Sequence, residues 1–441
     1  MLPRRRILPA VVALCAAVLP AAPAAAADFS KQALTFDVKV GPNGDTPCTV
    51  TADLYTPSGA TPANPAPAIL ATNGFGGSKA DFGDLAAAYA RRGYVFLAYS
   101  GLGFGGSGCK ITLDDREHDG SAGSQLVSFL GGSKAANDGT KVDYVIHDAT
   151  DHAGKARADD PRIGMIGGSY GGQIQFAVAG IDARMDALVP QITWNDLSYS
   201  LTPNNTDFAS GVTYKTPGVS KIDWPVLFTG LGVGQGIQHA FSDQDPSHLG
   251  ACPNFDDRVC TALVQSGSTG YPDPTTLELL RHASVATYVD RIRIPTFLSQ
   301  GLSDTLFDTQ EAVATYRALR AQGTPVKMLW RSAGHSGGDL GTAENDETNL
   351  ERAYESRLEL EWFDYYLRGI GDPPALDFSF VRDWAVPKSG DAAPAVGETP
   401  NYPAARDAAL YLSGADALVD GAGAVKAGSA SMAAVPAAPT N

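Results

Sequence analysis

The apolar positions of this chain fall into short compact runs, separated by glycine-rich loops and interleaved with helical patterns. Ala33–Val40 and Thr49–Tyr55 alternate in the strand manner, and Gly41-Pro-Asn-Gly44 between them predicts a hairpin. Ala68–Thr72, Tyr94–Tyr99, Ile163–Ile166, Asp186–Ile192, Thr296–Gln300 and Val326–Trp330 are further strand-length runs. Helical stretches at about Phe82–Arg92, Gln173–Ala179 and Thr309–Gln322 intervene, and this alternation predicts a mostly parallel sheet covered on both faces. Ser124–Leu130 fits a helix and Val142–Ile146 an inserted strand. Leu350, Ala353, Tyr354, Leu358, Trp362 and Tyr365 recur at helical spacing, so Asn349–Arg368 reads as one long amphipathic helix stopped by Gly369.

Two regions break the alternation. Between the runs ending at Ile192 and beginning at Thr296 lies a proline-interrupted interval too long for a simple connection. It predicts a helical cap over residues 196–291, inserted into a sheet domain made of 28–195 and 292–372. Beyond residue 372, Asp377–Val381 and Ala409–Leu412 fit strands among Ala/Pro/Gly-rich loops. Residues 373–441 therefore read as a short or truncated β-rich region. No internal repeat is visible.

Residues 1–27 follow a different rule. Arg4-Arg5-Arg6, an apolar run Ile7–Val18 and Ala25-Ala26-Ala27 make a signal peptide cut near Ala27-Asp28, too short and interrupted to span a membrane. The expectation is a secreted protein, with the twin-arginine route left open. The composition of the whole sequence, 44% hydrophobic and 18% charged, is that of a globular chain. A net charge of −15 argues against nucleic acid and anionic membrane surfaces as partners. It leaves a small molecule or peptide as the partner to expect, and does not speak to oligomeric state. Cys15 leaves with the signal, so Cys48, Cys109, Cys252 and Cys260 remain. Four cysteines allow three pairings. Local pairing of Cys252 with Cys260 is the simplest, which leaves Cys48 with Cys109. No metal-ligand spacing accompanies them, and no metal or cofactor is expected.

The chemistry centres on Gly167-Gly168-Ser169-Tyr170-Gly171, which follows an apolar run and precedes a helical one. A strand, a tight turn and a helix with one serine at the apex form a nucleophile elbow, where glycines make room for a cramped backbone. A serine hydroxyl needs a base, an orienting acid and donors for the developing oxyanion. On an α/β-hydrolase sheet these come in the order serine, acid, histidine. His335, in a glycine-rich loop after the run ending at Trp330, is the only histidine after Asp304. Asp304 lies just past the strand ending at Gln300 and is preferred over Asp308, whose place at a helix start suits N-cap duty. The oxyanion donors expected are the backbone N–H groups of Tyr170 and of Phe75, the latter in Asn73-Gly74-Phe75-Gly76-Gly77. Trp194, after the strand that follows the elbow helix, lines the acyl pocket or packs in the core.

Laid out this way the chain resembles the X-Pro dipeptidyl-peptidase family of serine hydrolases, a group that includes cocaine esterase and cephalosporin acylases. The resemblance rests on Asp160-Pro-Arg-Ile-Gly164 leading into the elbow, on Ile294-Pro295 before Gly301-Leu-Ser-Asp304-Thr-Leu-Phe307, and on Gly334-His335. It covers roughly residues 33 to 385. It implies an α/β-hydrolase fold with a helical cap and a C-terminal jelly roll. It also implies cleavage of amide or ester bonds through an acyl-serine, with Phe307 beside Trp194 as a candidate pocket residue. Peptidase, esterase and acylase remain open, as does a non-catalytic binding role. Several members of that group place a tyrosine hydroxyl in the oxyanion hole. Here Phe75 stands in that loop and leaves the donor to the backbone.

Overall fold

The computed structural model describes residues 29–204, 217–242, 248, 252–337, 344–382, 395–403, 410–414 and 417–429. The expected signal peptide lies outside the described residues, as does Ala409 of the expected last strand. Ten strands form one sheet: β1 (Phe29–Val40), β2 (Thr46–Pro57), β3 (Ala68–Thr72), β4 (Val95–Tyr99), β5 (Ile163–Gly168), β6 (Ala187–Gln191), β7 (Thr296–Gly301), β8 (Val326–Arg331), β9 (Phe378–Val381) and β10 (Val396–Thr399). Their spatial order is β1-β2-β4-β3-β5-β6-β7-β8-β9-β10. β1 pairs antiparallel with β2, and β2 antiparallel with β4. From β4 through β9 every pairing is parallel. This is the α/β-hydrolase fold.

The strand composition explains the layering. β3 and β4 are buried at every residue, as expected of parallel strands sandwiched between helices. Alternate side chains serve opposite faces. Leu70, Leu97 and Met165 face α2 (Ser121–Leu130), α3 (Tyr170–Ala179) and α8 (Thr309–Ala321) in one core. Ile69, Phe96 and Ile166 face α1 (Gly83–Arg91) and α9 (Tyr354–Phe363) in the other.

Between β6 and β7 run α4 (Leu197–Leu201), α5 (Asp223–Ser242), α6 (Asp257–Thr269) and α7 (Pro274–His282). They build a third apolar cluster over the C-terminal ends of the strands, where Phe255, Val259 and Leu280 meet Tyr170, Trp194 and Phe307. Asn254 pins this layer to the body: its side-chain amide donates to Gly103 O at 2.8 Å and Gly232 O at 3.2 Å. No helix among the described residues is long and apolar enough to cross a membrane.

Several elements differ from expectation. Val142–Ile146 is not a strand; it makes a single bridge, Val145 to Ala66, beside one further backbone bond in which Ile146 O accepts from Arg162 N–H at 2.7 Å. The long helix begins only at Tyr354, because Ala353 is extended at φ −94° and ψ 155°. Ahead of it, Asp346 accepts from the N–H groups of Thr348 and Asn349, a local turn that competes with helix. At the far end the helix widens into a looser turn, Asp364–Arg368, before Gly369 in the left-handed conformation. β9 and β10 extend the main sheet instead of standing apart, so the boundary expected after residue 372 falls inside this sheet. Among the described residues, only β11 (Tyr411–Ser413) and β12 (Ala417–Val419) form a separate pair.

Cys48 bonds to Cys109 and Cys252 to Cys260, with Cα atoms 5.6 and 5.7 Å apart. The bridges close loops of very different size, with sequence separations of 61 and 8. Loop-closure entropy therefore makes Cys48→Ala/Cys109→Ala the costlier deletion, by about 2 kcal/mol. Urea unfolding of the two double variants measures the difference, and equal losses would remove the entropic account.

Buried ionisable groups set a second expectation. Burial pushes Asp119 up to about 7, against a bond from Thr112. Burial likewise pushes Glu344 up to about 7, against a bond from Ser332 N–H. Bonds to Asp115 raise His118 and His282, and one to Asp186 raises His152. All five hold protons in the folded state that the unfolded chain has released, so stability is fully present below the unfolded values and falls as pH rises. Tm should drop steadily from pH 5 to pH 8 in a calorimetric series; a rise over that window would contradict these environments.

Candidate active site

Ser169 caps α3 with φ 58° and ψ −121°, a left-handed conformation that costs a non-glycine residue strain. The turn closes because Ser169 N–H donates to Gln191 O at 2.9 Å, while Gly172 and Gln173 N–H return to Ser169 O at 2.9 and 3.1 Å. A Cβ on Gly171 would run into the carbonyl of Thr72 at the end of β3. That strand can lie this close only because position 171 has no side chain.

Asp304 sits in the turn after β7, and its side chain is buried. One carboxylate oxygen accepts from the N–H groups of Leu306 and Phe307 at 3.0 and 2.9 Å. The other lies 2.7 Å from His335 Nδ1. A carboxylate in that position requires the imidazole proton on Nδ1, which leaves Nε2 free to accept. Nε2 lies 2.8 Å from Ser169 Oγ. The histidine loop comes this near because Gly334 has no side chain: a Cβ there would collide with Asp304. The rings of Phe307 and Trp224 stand edge-on to the imidazole at 5.1 and 6.0 Å. Asp308 instead caps α8, accepting from Gln310 N–H at 2.9 Å.

Beside the serine lies the loop after β3. Asn73 holds it, accepting from Gly101 N–H at 3.0 Å and donating to Gly74 O at 2.8 Å. A Cβ on Gly74 would stand 3.8 Å from Ser169 Cβ, so this backbone is the near wall of the site. The Phe75 ring packs among Phe104, Tyr170, Phe228 and Phe255, with centroids 4.9 to 6.2 Å apart. The Tyr170 hydroxyl points away from the serine and accepts from Asp114 N–H at 3.1 Å.

Two cavities meet at Ser169. One, of about 90 Å³, is apolar and roofed by the helices between β6 and β7; Phe75, Tyr170, Trp194, Phe228, Leu280 and Phe307 line it. Trp194 is both wall and brace, because its indole N–H donates to Ala283 O at 2.9 Å. The other, of about 400 Å³, is bounded by Gly74, Phe75, Gln191, His335 and three acids, Asp81, Glu347 and Glu359. Glu359 is buried and accepts from Gln191. Burial, with the charge of Glu355 added, holds its carboxyl well above the usual range. Burial and the charge of Asp84 raise Glu347 as well. The neighbouring Arg331 is already engaged bidentately by Glu355 at 3.1 and 3.0 Å.

Sequence reasoning missed this acid chamber. Its residues come from segments scattered between Gly74 and Glu359, and the one legible signal was Glu355 and Glu359, acids one helical turn apart on the face that carries buried Trp362.

A carboxylate–imidazole–hydroxyl line on an α/β-hydrolase sheet defines the serine hydrolases, and this chain is one of them. More narrowly, residues 45–226 match the family model described as X-Pro dipeptidyl-peptidase (S15 family). No curated protein matches in sequence. Among solved structures, a Pyrococcus furiosus esterase is 14% identical at a TM-score of 0.38, over 70% of this chain and 84% of that one. An acetyl xylan esterase from Paenibacillus sp. R4 is 16% identical at 0.40, over 72% and 82%. A Pyrococcus horikoshii acylaminoacyl peptidase is 13% identical at 0.46, over 79% of this chain and 43% of that one.

The Phe75 ring is a wall of the apolar cavity and has no group to donate. Phe75→Ala keeps the backbone N–H, so it should raise KM and lower kcat by clearly less than the ~10²–10³ typical of a lost oxyanion donor. Steady-state kinetics on one soluble ester decides; a thousandfold fall in kcat with the fold intact would give the ring a catalytic role.

Proposed function

We propose that this protein is an exported hydrolase that cleaves amide or ester bonds through an acyl-Ser169 intermediate, with Asp304 and His335 completing a triad. The carrying observation is the line of 2.7 and 2.8 Å contacts from Asp304 through His335 to Ser169. In this reading His335 Nε2 takes the hydroxyl proton as Ser169 Oγ attacks the carbonyl carbon, and then delivers it to the leaving nitrogen or oxygen. The N–H groups of Tyr170 and Phe75 receive the oxyanion, Tyr170 with the positive end of α3 behind it. Water, deprotonated by the same imidazole, releases the acyl group. Asp304 fixes the tautomer and stabilises the imidazolium. Export is supported by the arginine-led apolar start of the chain and by two disulfides.

Within that class the two cavities favour the dipeptidyl-peptidase reading over a plain carboxylesterase. The apolar cavity suits a proline-like ring, and the acid chamber offers Glu347 and Glu359 to a free amino terminus. An ammonium there would supply the counter-charge these carboxyls lack. The test pairs a dipeptidyl-proline p-nitroanilide with its N-acetylated form and with a p-nitrophenyl ester. The free-amine anilide should be cleaved at least tenfold faster than the blocked one, and Ser169→Ala should lose ~10⁴ or more of the activity. Ester turnover with no anilide cleavage would instead select the esterase reading, and activity retained in Ser169→Ala would remove the triad itself.

A further inference from the structure

We propose that Lys221 is a positioning residue that ties the cap to the acid of the triad. The inference rests on the triad reading above. Lys221 stands two residues before α5, and its backbone is fixed on both sides. Its N–H donates to Leu201 O at 2.8 Å, and its carbonyl accepts from Trp224 N–H at 3.2 Å. The side chain leaves the cap altogether: Nζ donates to Thr305 O at 2.6 Å and to Leu306 O at 3.1 Å.

Those two carbonyls belong to the turn that presents Asp304. The turn directs the N–H groups of Leu306 and Phe307 at the Asp304 carboxylate. The carbonyls of Thr305 and Leu306 are left needing donors of their own. An ammonium reaching two adjacent carbonyls locks the turn, and a charged donor makes the stronger kind of hydrogen bond. From the other side, Thr305 N–H donates to Ser336 Oγ at 3.1 Å, next to His335. The acid turn is therefore clamped between the histidine loop and the cap. Burial lowers the Lys221 pKa, and the charges of Asp308, Glu311 and Asp304 oppose that. Trp224, three residues on, places its ring against the imidazole. One short piece of cap thus touches the His335 ring and the turn that carries Asp304, and a displaced cap would loosen Asp304 as well as uncover the pocket.

The test uses the full exported chain with Lys221→Met, which keeps the stem and removes the donor, and Lys221→Arg, which restores one. Steady-state kinetics on a soluble p-nitrophenyl ester is read beside the rate of Ser169 labelling by a fluorophosphonate. Lys221→Met should lower kcat about tenfold or more, as misplacement of a catalytic group does. KM should stay within about twofold and labelling should slow in parallel, while Lys221→Arg recovers most of the loss. If Lys221→Met fails to fold, Lys221→Gln, one atom shorter, reads the same loss of reach. Unchanged kcat in the donor-free variant overturns the proposal, and so does an equal loss in Lys221→Arg. Activity surviving in Ser169→Ala would instead remove the triad reading beneath it, so the two failures are told apart.

Discussion

Three groups from three strand ends must meet within hydrogen-bonding distance of one another, and most of the local architecture answers to that demand. A hydroxyl, an imidazole and a carboxylate are useful together only at separations near those between Ser169, His335 and Asp304. Side-chain reach is short, so the backbones must crowd. Gly171 against Thr72, and Gly334 against Asp304, are where that crowding is relieved by leaving out a side chain. The left-handed Ser169 is where it is borne as strain. The parallel sheet makes the arrangement affordable, since β5, β7 and β8 all end on the same edge and are buried on both faces.

The cap and the body then divide the site between them. Body residues hold Ser169, Asp304 and His335, while the helices between β6 and β7 close the apolar cavity and Lys221 reaches the turn after β7. The contact surface is itself bound by specific polar groups. Asn254 bridges to Gly103, and buried Glu311 accepts from the N–H groups of Asn195 and Asp196 at 2.8 and 3.0 Å, where the chain leaves the body. Burial keeps Glu311 well above the usual carboxylate range. A buried acid with its partners satisfied favours one arrangement over neighbouring ones, because any shift leaves a polar group bare.

The polarity of the two cavities follows from the same layering. The apolar one lies between cap helices and aromatic rings on the strand ends. The acidic one lies over α1 and α9, where the chain places Glu355 and Glu359 on a helix face that otherwise packs Trp362 and Phe363 into the core. Arg331 answers Glu355 and leaves Glu359 to Gln191. The chamber beside the serine consequently carries more acid than base among its lining residues.

The sequence by itself marked out the sheet strands up to Arg331, though with one strand too many, and the glycine elbow around Ser169 with the chain order of Ser169, Asp304 and His335. Each of these is a local signal, a period of two or 3.6 or a residue type that a turn demands, and local signals survive without knowledge of what packs where. It also made Cys252–Cys260 the simplest pairing, because neighbours in a loop are close whatever the fold. Tertiary structure decided the rest. Whether Val142–Ile146 forms a strand depends on a free sheet edge beside it, and it meets only isolated partners, Ala66 and Arg162. Whether β9 and β10 stand apart depends on the open edge of β8, which β9 covers before β10 adds to β9. The acid chamber and the reach of Lys221 join residues far apart in the chain, and no pattern along a sequence records a distance across a fold.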